Sequence, residues 1–386
     1  MLRLAWQYMK GVIVTMHKPD PDFDRLRQTL LCEEPDRVPT AELYIDRPAK
    51  EGFLGESVDT LEKSILFYYA AGYDFYGLRF SYVDDFQVGD FSKSGRGDAT
   101  FTKSAYGEEK KRERHWVKGK EHYISTIEDF ESFDWPDPET EKVAGEADIE
   151  NVPVAEALDR AHRALPEGMK VIAWTSGIFE YVSWLMGFET FCEALIANPD
   201  LIQKMFEKVG SLFVGLFKYM AQLDIVGALW YADDVAYGAG LLWSPEFMRK
   251  YMFPWYEEIG SIAKRYDLPL ILHSDGDLTK ILDDYVALGW SAIQPIEPNA
   301  MDIRVVKKKY AGKLALIGNV DLGYTLTRGT PAEVKEEVKG LIRDLAPGGG
   351  YVLGSSNTIT DYVPPENYRA LLDATFEYGK YPIKLS

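Results

Sequence analysis

Cysteine is scarce in this sequence of 386 residues, which has only Cys32 and Cys192. The two thiols lie far apart in the chain and form no CxxC pattern. A disulfide scaffold and a cysteine-rich zinc or redox site are therefore excluded. We expect a reducing, cytoplasmic location.

Long uncharged apolar runs are also missing. A membrane-spanning helix needs about 20 consecutive, mainly apolar residues, and the sequence has no such run, so we expect no membrane association. The apolar stretch over 2–16 contains Arg3 and Lys10 and lacks an A-x-A cleavage pattern, which argues against a signal peptide. We interpret 1–15 as a dispensable extension and 1–30 as this extension followed by a helix.

Basic charge and the common catalytic signatures are in short supply as well. Lys and Arg number 43 against 61 Asp and Glu, which gives a net charge of −18. Nucleic-acid binding requires a basic surface, so we expect no nucleic-acid partner. No GxSxG, Walker A, HExxH or EF-hand pattern occurs, and serine-hydrolase, P-loop and common metalloprotease activities lose support.

Short apolar runs alternate with longer amphipathic segments, which is the pattern of repeated β-α units. Eight such runs are present, at 38–46, 74–81, 171–177, 227–234, 268–275, 291–297, 314–321 and 351–357. Eight is the number that a closed (β/α)₈ barrel requires, so we predict an α/β fold with one TIM-barrel domain over 1–386. A doubly wound sheet is the alternative, but its glycine-rich strand-to-helix turn is missing.

One segment departs from the β-α rhythm. Residues 84–130 follow the second predicted strand and alternate polar and apolar residues around Gly, Lys and Arg, as β-hairpins do. We predict inserted hairpins over the mouth of the barrel, serving as a lid; a hairpin without function is the alternative. The acidic stretch 134–151 is predicted to be an exposed loop.

Polar residues at the C-terminal ends of barrel strands line the active sites of such folds. The predicted strand ends carry Glu42, Tyr44, Asp46, Arg79, Ser81, Tyr82, Trp174, Thr175, Ser176, Trp230, Tyr231, Asp233, Asp234, His273, Asp275, Asp277, Gln294, Glu297, Asn319, Asp321, Ser355, Ser356 and Asn357. We predict catalytic roles for His273, Asp275, Asp234 and Glu297. We predict substrate contacts for Arg79, Tyr82, Trp174, Trp230, Tyr231, Asn319, Asp321 and Asn357.

His273 gives the clearest signal because it follows the apolar run LPLIL and precedes Ser-Asp-Gly. Residues i and i+2 of a strand point to one side, so His273 and Asp275 are expected to share a face. An imidazole beside a carboxylate can act as an acid/base pair, or both can bind a divalent metal such as zinc. A buried structural histidine is the alternative.

Three other groups leave two interpretations open. Tandem acids at a strand end, such as Asp233 and Asp234, often cap a helix; if one of them does so, the other can still face the pocket. Asn319 and Asp321 either bind substrate hydroxyls or fix a loop. The aromatic residues that either stack on a planar substrate or belong to the core are Trp174, Trp230, Tyr231 and Trp243.

The C-terminal third contains four motifs that together resemble the uroporphyrinogen decarboxylase superfamily. They are GNVD at 318–321, GTPAEV at 329–334, APGGGY at 346–351 and PPEN at 364–367. The resemblance extends more weakly to PDRVP near the start and to DDVAYGAGLLWSPEFMRKYMFPWYEEI in the middle. It implies a (β/α)₈ barrel and one of two chemistries, which are decarboxylation of uroporphyrinogen and methyl transfer with a corrinoid protein.

The porphyrin chemistry fits this sequence poorly. The resemblance implies a basic N-terminal stretch and an aspartate after the second strand's Phe-Ser. This chain has Glu42 and Asp46 in the corresponding stretch and Tyr82 after Ser81. Acidic residues would repel a polycarboxylate substrate. A decarboxylase acting on a different carboxylated substrate stays as the alternative.

Members of the superfamily that methylate a thiol bind zinc through a His-x-Cys pair and a later cysteine. This sequence has His273, but Asp275 replaces the first cysteine and Asn357 stands near the second. We therefore predict the demethylating branch, in which a small methylated substrate, first a methoxylated aromatic, passes its methyl group to a corrinoid (cobalamin) protein. Zinc bound by His273 and Asp275 and a homodimer are further expectations. A non-catalytic binding barrel is the second alternative.

Overall fold

A computed structural model of the protein describes residues 18–82, 123–137, 139, 142–146 and 149–385. The predicted extension 1–15 lies outside these residues. Most of the predicted insertion 84–130 also lies outside them, and the hairpin prediction is not addressed by the described part.

Parallel strands form the centre of the fold. In chain order the strands are β1 (Phe75–Tyr82), β2 (Lys142–Glu146), β3 (Glu150–Pro153), β4 (Lys170–Ser176), β5 (Val226–Ala232), β6 (Ala236–Tyr237), β7 (Gly240–Leu241), β8 (Leu270–His273), β9 (Ala292–Gln294), β10 (Ala315–Ile317) and β11 (Tyr351–Val352). The large sheet of the described residues has the order β11-β10-β9-β8-β5-β4-β1-β2-β3. From β11 to β1 all neighbours are parallel.

Helices separate most of the parallel strands and cover the sheet. They are α1 (Phe23–Leu30), α2 (Arg47–Leu54), α3 (Leu61–Ala70), α4 (Ile127–Ser132), α5 (Val154–Ala164), α6 (Ile178–Met186), α7 (Phe188–Ala197), α8 (Pro199–Ala221), α9 (Pro245–Tyr251), α10 (Phe253–Arg265), α11 (Leu282–Ala287), α12 (Ile303–Tyr310), α13 (Thr325–Arg328), α14 (Pro331–Leu345) and α15 (Pro365–Tyr378). Local sequence explains their ends. Helix α14, for example, begins with a capping box between Thr330 and Glu333.

The first predicted strand, 38–46, forms single bridges instead of a continuous ladder. Thr40 pairs in parallel with Leu353, next to β11. On its other side, the Leu43 carbonyl oxygen lies 3.9 Å from where a Cβ atom on Gly77 of β1 would stand. The segment therefore borders the last parallel strand on one side and approaches the first on the other.

Strand alternation decides which side chains point into the barrel. Tyr231 packs against Phe217 of α8 and Tyr256 of α10, so it faces the helices. Its neighbours in β5, Trp230 and Ala232, consequently face the interior. The register of the parallel pairs extends this assignment to an inner layer of Arg79, Trp174, Trp230 and Ile271, and to the next layer of Ser176, Ala232, His273 and Gln294.

The acidic stretch 134–151 is more than the exposed loop predicted from its composition. Its strand β2 pairs antiparallel with β1, and Glu146 is buried. The Glu146 carboxylate binds Lys50 of α2 and accepts hydrogen bonds from Ser64 and, at 2.8 Å, from the Tyr76 hydroxyl. Composition alone did not reveal this because the partners are distant in sequence.

The described helices were also searched for membrane spans. Within that part of the chain, no helix combines the length and the apolar character needed to cross a bilayer.

Candidate active site

Three ionisable side chains converge at the C-terminal ends of two adjacent strands. His273 ends β8, Asp275 follows it, and Asp234 follows β5. The His273 Nε2 atom lies 3.8 Å from Asp234 Oδ1 and 3.8 Å from Asp275 Oδ1. One ligand atom of each residue lies within 4.8 Å of the others, which is a spacing that a single metal ion can bridge. We call these residues the acid–imidazole triad.

The His273 ring is oriented by a neighbouring amide. His273 Nδ1 hydrogen-bonds Gln294 Oε1, and Gln294 Nε2 donates to the Asn357 carbonyl oxygen at 2.8 Å. Since the amide nitrogen of Gln294 donates to that carbonyl, its Oε1 must accept from His273, which places the proton on Nδ1. Nε2 therefore faces the two carboxylates. It can meet them either as the N–H donor of an imidazolium or as a ligand of a cation shared with them.

The two carboxylates of the triad are linked to each other and to the last strand. Asp234 Oδ1 accepts from the Asp275 backbone N–H at 2.9 Å, and Asp275 Oδ1 accepts from Asn357 Nδ2 at 2.8 Å. The side chains of His273, Asp234 and Asp275 are 11%, 15% and 14% exposed, so a small ligand can reach all three.

A tight loop after β8 holds Asp275 in place. Gly276 has φ +88°, and a Cβ atom there would stand 2.3 Å from the Tyr237 backbone nitrogen. Its own N–H donates to Glu297 Oε2 at 2.8 Å. Glu297, predicted as catalytic, thus contacts the backbone of the loop that carries Asp275.

Asp233 and Asp234 have different roles: Asp233 caps a helix, and Asp234 faces His273. Asp233 is buried, and its carboxylate accepts from the Phe179 and Glu180 N–H groups at the N-terminus of α6. The Tyr231 and Tyr256 hydroxyls also donate to it, at 2.6 Å and 2.9 Å. Burial raises the pKa of Asp233 to about 6 against these donors. Asp234 is left to face His273.

Some predicted substrate-contacting residues lie below the triad inside the barrel. Arg79 and Trp174 are half-buried, with the guanidinium carbon 6.0 Å from the centre of the Trp174 ring. Trp230 is paired with Trp174 in register and is only 1% exposed. Asn357 contacts Asp275 directly. Arg79, Trp174 and Trp230 therefore form a cationic and aromatic layer beneath the triad.

Other predicted substrate-contacting residues are corrected by the structure. Tyr82 and Tyr231 face the helices, and their hydroxyls donate to the Leu212 carbonyl and to Asp233. Strand-end position alone did not reveal which side of the strand they occupy.

Two loop residues and one aromatic residue from the predicted site also make structural contacts. Asn319 Nδ2 donates to the Ile296 carbonyl oxygen at 2.7 Å. The Asp321 carboxylate accepts from the backbone N–H groups of the two residues after Leu322, which fixes the loop before α13. Trp243 packs among the phenylalanines of α6 and α7. Of the two interpretations left open for Asn319 and Asp321, these contacts correspond to fixing a loop rather than to binding substrate hydroxyls.

Glu42 of the acidic N-terminal stretch does not line the mouth as expected. Glu42 is fully buried and binds Ser355, and burial raises its pKa to about 8. Asp46 Oδ2 accepts from the Asp361 N–H at 2.9 Å. Repulsion of a polycarboxylate substrate by Glu42, which was expected from the sequence, is therefore not supported by the structure. Gln294, which orients His273, received no role from the sequence although it ends the neighbouring strand.

The donor set of the triad fits a divalent cation of the zinc type. One imidazole nitrogen and two carboxylate oxygens are ordinary zinc ligands, and three protein ligands leave a position for a substrate or water. Gln294 holds the imidazole and Asn357 holds one carboxylate, so two of the three candidate ligands are oriented by a neighbouring side chain. Neither Cys32 nor Cys192 belongs to the triad, so the triad offers a cation no thiolate ligand.

The family model of uroporphyrinogen decarboxylase (URO-D) matches residues 118–378. The chain belongs to the uroporphyrinogen decarboxylase family. Of the four motifs that predicted this membership, GNVD follows β10, GTPAEV and PPEN begin α14 and α15, and APGGGY leads into β11. The expected family resemblance is thereby confirmed.

Relatives of this family member include both chemistries. It is 24% identical over 267 residues to uroporphyrinogen decarboxylase of Actinobacillus succinogenes, covering 64% of this chain and 67% of the relative. It is 25% identical over 231 residues to the methylcobamide:CoM methyltransferase MtaA of Methanosarcina barkeri, covering 58% of this chain. The match spans 63% of that methyltransferase, which is less than two thirds of its length.

A solved structure gives the same fold over nearly the whole chain. The methyltransferase from Methanosarcina mazei superposes with a TM-score of 0.66 at 19% identity, covering 92% of this chain and 98% of the other. Together with the parallel sheet, this likeness confirms the predicted α/β TIM-barrel fold class.

Proposed function

We propose that the protein is a methyltransferase that demethylates a small substrate and passes the methyl group to a corrinoid on a partner protein. The observation that carries this proposal is the acid–imidazole triad, in which Nε2 of His273 points between two carboxylates at an open strand end. A relative named as a methylcobamide:CoM methyltransferase and a methyltransferase with the same fold support methyl exchange with a corrinoid. The direction proposed here, from the substrate to the corrinoid, rests on Asp275 and Asn357, which stand where thiol-methylating members have cysteines.

The chemistry that this reaction requires matches the triad. Cobalt(I) of the corrinoid attacks the methyl carbon with its electron pair, the carbon–heteroatom bond breaks, and the leaving group keeps the bonding pair. A phenolate or similar anion leaves poorly unless its charge is stabilised. A divalent cation bound by His273, Asp275 and Asp234 would supply Lewis-acid stabilisation of that leaving atom.

The remaining residues serve this step by orientation. Gln294 keeps the His273 proton on Nδ1, and Asn357 keeps Asp275 turned towards the ligand position. Trp174, half-buried on the inner face, can stack on an aromatic ring. A methoxylated aromatic is therefore our first choice of substrate. Zinc is our choice of metal, and the homodimer and the cytoplasmic location stay predictions from the sequence.

The test is methyl transfer to chemically reduced cobalamin, followed by its absorbance. The purified protein is offered methoxylated aromatics, methylamines and methyl thiols in turn. We expect methyl–cobalt formation with at least one donor, and loss of at least about a hundredfold in rate for His273→Ala. His162→Ala is the matched control, because His162 lies on α5 with 49% of its side chain exposed. No methyl–cobalt species with any donor contradicts the proposal.

A decarboxylase acting on another carboxylated substrate is the second candidate. The Actinobacillus succinogenes relative favours it, and Arg79 inside the barrel has the charge to bind a carboxylate. Carbon dioxide release without any corrinoid would select this activity. If His273→Ala leaves the protein's function unchanged, neither enzyme applies and a binding barrel is the better description.

A further inference from the structure

Glu42 is a buried carboxyl group that the proposed chemistry does not use. It lies in segment 38–46 with no exposed surface, and it accepts from the Ser355 N–H at 2.6 Å and from the Ser355 hydroxyl at 2.7 Å. Among the described residues no cation forms an ion pair with it. A buried acid without a counter-charge is costly to keep, so it calls for an explanation.

The partner of Glu42 begins the turn that follows the last barrel strand. The Asn357 N–H donates to the Ser355 hydroxyl oxygen at 3.4 Å, and the Ser356 N–H donates to the Val320 carbonyl at 2.9 Å. The turn is therefore anchored by Glu42 on one side and by the loop after β10 on the other. Removing the Glu42 carboxyl would leave two buried donors of Ser355 without an acceptor.

The same turn contacts Asp275 directly and His273 through Gln294. Asn357 Nδ2 donates to Asp275 Oδ1 at 2.8 Å, and the Asn357 carbonyl accepts from Gln294 Nε2 at 2.8 Å. Gln294 in turn holds His273 Nδ1. A displacement of residues 355–357 would thus turn one carboxylate and the imidazole together.

We propose that Glu42 is a positioning residue for the triad, acting through Ser355 and Asn357 to set the direction of Asp275 and His273 towards a bound divalent cation. The inference rests on the metal-binding part of the proposed function. Burial, which raises the pKa of Glu42 to about 8, agrees with it. A protonated carboxyl can accept the Ser355 N–H on one oxygen and donate its O–H to the Ser355 hydroxyl oxygen, without a buried charge at neutral pH.

The experiment measures zinc affinity by calorimetric titration of the metal-free protein with zinc chloride. Loss of an outer contact typically lowers metal affinity about 10–100-fold, and we expect this for Glu42→Leu. Glu42→Gln keeps an acceptor for the Ser355 N–H and a polar partner for its hydroxyl, so it should stay within about threefold of the parent. Asn367→Leu is the control, since Asn367 is equally buried and its side chain binds only the loop around α13.

The outcomes separate this inference from the proposed function. Weaker zinc binding in folded Glu42→Leu, with Glu42→Gln and Asn367→Leu near the parent, supports the inference even if no methyl transfer is found. Equal zinc affinity in folded Glu42→Leu overturns it. If the parent itself binds no zinc, ¹⁵N chemical shifts of the His273 imidazole decide: a change in Glu42→Leu but not in Asn367→Leu supports the inference, and no change overturns it.

Discussion

Two adjacent aspartates show how a single step along a strand changes the role of a residue. Asp233 points to the helix layer, where its carboxylate accepts hydrogen bonds from the first N–H groups of α6 although it belongs to a different segment. Asp234 points to the mouth and meets His273. Successive residues of an extended chain face opposite sides, so the same side chain stabilises the fold at one position and lines the site at the next.

Exchanging each aspartate for asparagine should separate these roles. Asp233→Asn loses the charged acceptor of two helix N–H groups and two tyrosine hydroxyls, and we expect the free energy of unfolding to fall by about 1–3 kcal/mol. Asp234→Asn should change that free energy by less than about 0.5 kcal/mol but weaken zinc binding. Urea denaturation and zinc titration measure both. Equal destabilisation by the two exchanges would contradict this division.

Glu42 should make stability depend on pH. Its pKa is raised by burial from 4.5 to about 8. Between those values the folded protein holds a proton that the unfolded chain has released, so this group's contribution to stability falls as pH rises through that window. Relative to the parent, Glu42→Gln should therefore gain stability from about pH 5 to about pH 8 and then stay level. A difference that does not change with pH would refute the expectation.

At the scale of the element, the loop after β8 depends on one glycine. Gly276 adopts a φ of +88°, and an added Cβ would meet the Tyr237 backbone at 2.3 Å. The β6–β7 hairpin approaches this loop so closely that no side chain fits at position 276. The Asp277 N–H also donates to the Tyr237 carbonyl oxygen at 3.1 Å, which joins the hairpin to the loop that carries Asp275.

Gly276→Ala should displace Asp275 and weaken zinc binding about tenfold or more, because the left-handed conformation alone costs about 1–2 kcal/mol. Gly238→Ala is the matched control on the facing hairpin, where an added Cβ meets no atom within 4 Å. Zinc titration of both variants gives the comparison. Equal affinity in the two would show that the loop adapts without moving Asp275.

The strands show which features of the fold could be predicted from the sequence and which could not. The eight strand positions and the His273–Asp275 pair followed from apolar runs and from the period of a strand. Which side of β5 faces the interior did not, because Trp230 and Tyr231 are both aromatic and only the packing of the helices distinguishes them. Gln294 was missed as a partner of His273 because the register between β8 and β9 is set by the whole barrel.

At the scale of the whole molecule, a buried ion pair joins the antiparallel β2–β3 pair to the rest of the fold. Lys50 of α2 is fully buried and binds Glu146 of β2. Ser64 and Tyr76 complete the polar contacts. Residues from segments that are distant in the chain are therefore joined where the sheet continues beyond the parallel strands.

Lys50→Met should lower the free energy of unfolding by about 3–5 kcal/mol, because it leaves the Glu146 carboxylate buried without its cation. Lys63→Met is the exposed control: Lys63 pairs with Asp59 on the surface, and its loss should have a far smaller effect. Urea denaturation curves of both variants test this. Similar midpoints for the two would mean that the buried ion pair does not anchor the β2–β3 pair.

The central claim is that a divalent cation held by the acid–imidazole triad assists methyl transfer to a corrinoid. Its most direct test is the rate of methyl transfer to reduced cobalamin while zinc is added to the metal-free protein. The account predicts a rate that rises with zinc up to about one equivalent and does not rise in His273→Ala. A rate that is the same without zinc, or unchanged in His273→Ala, would contradict it.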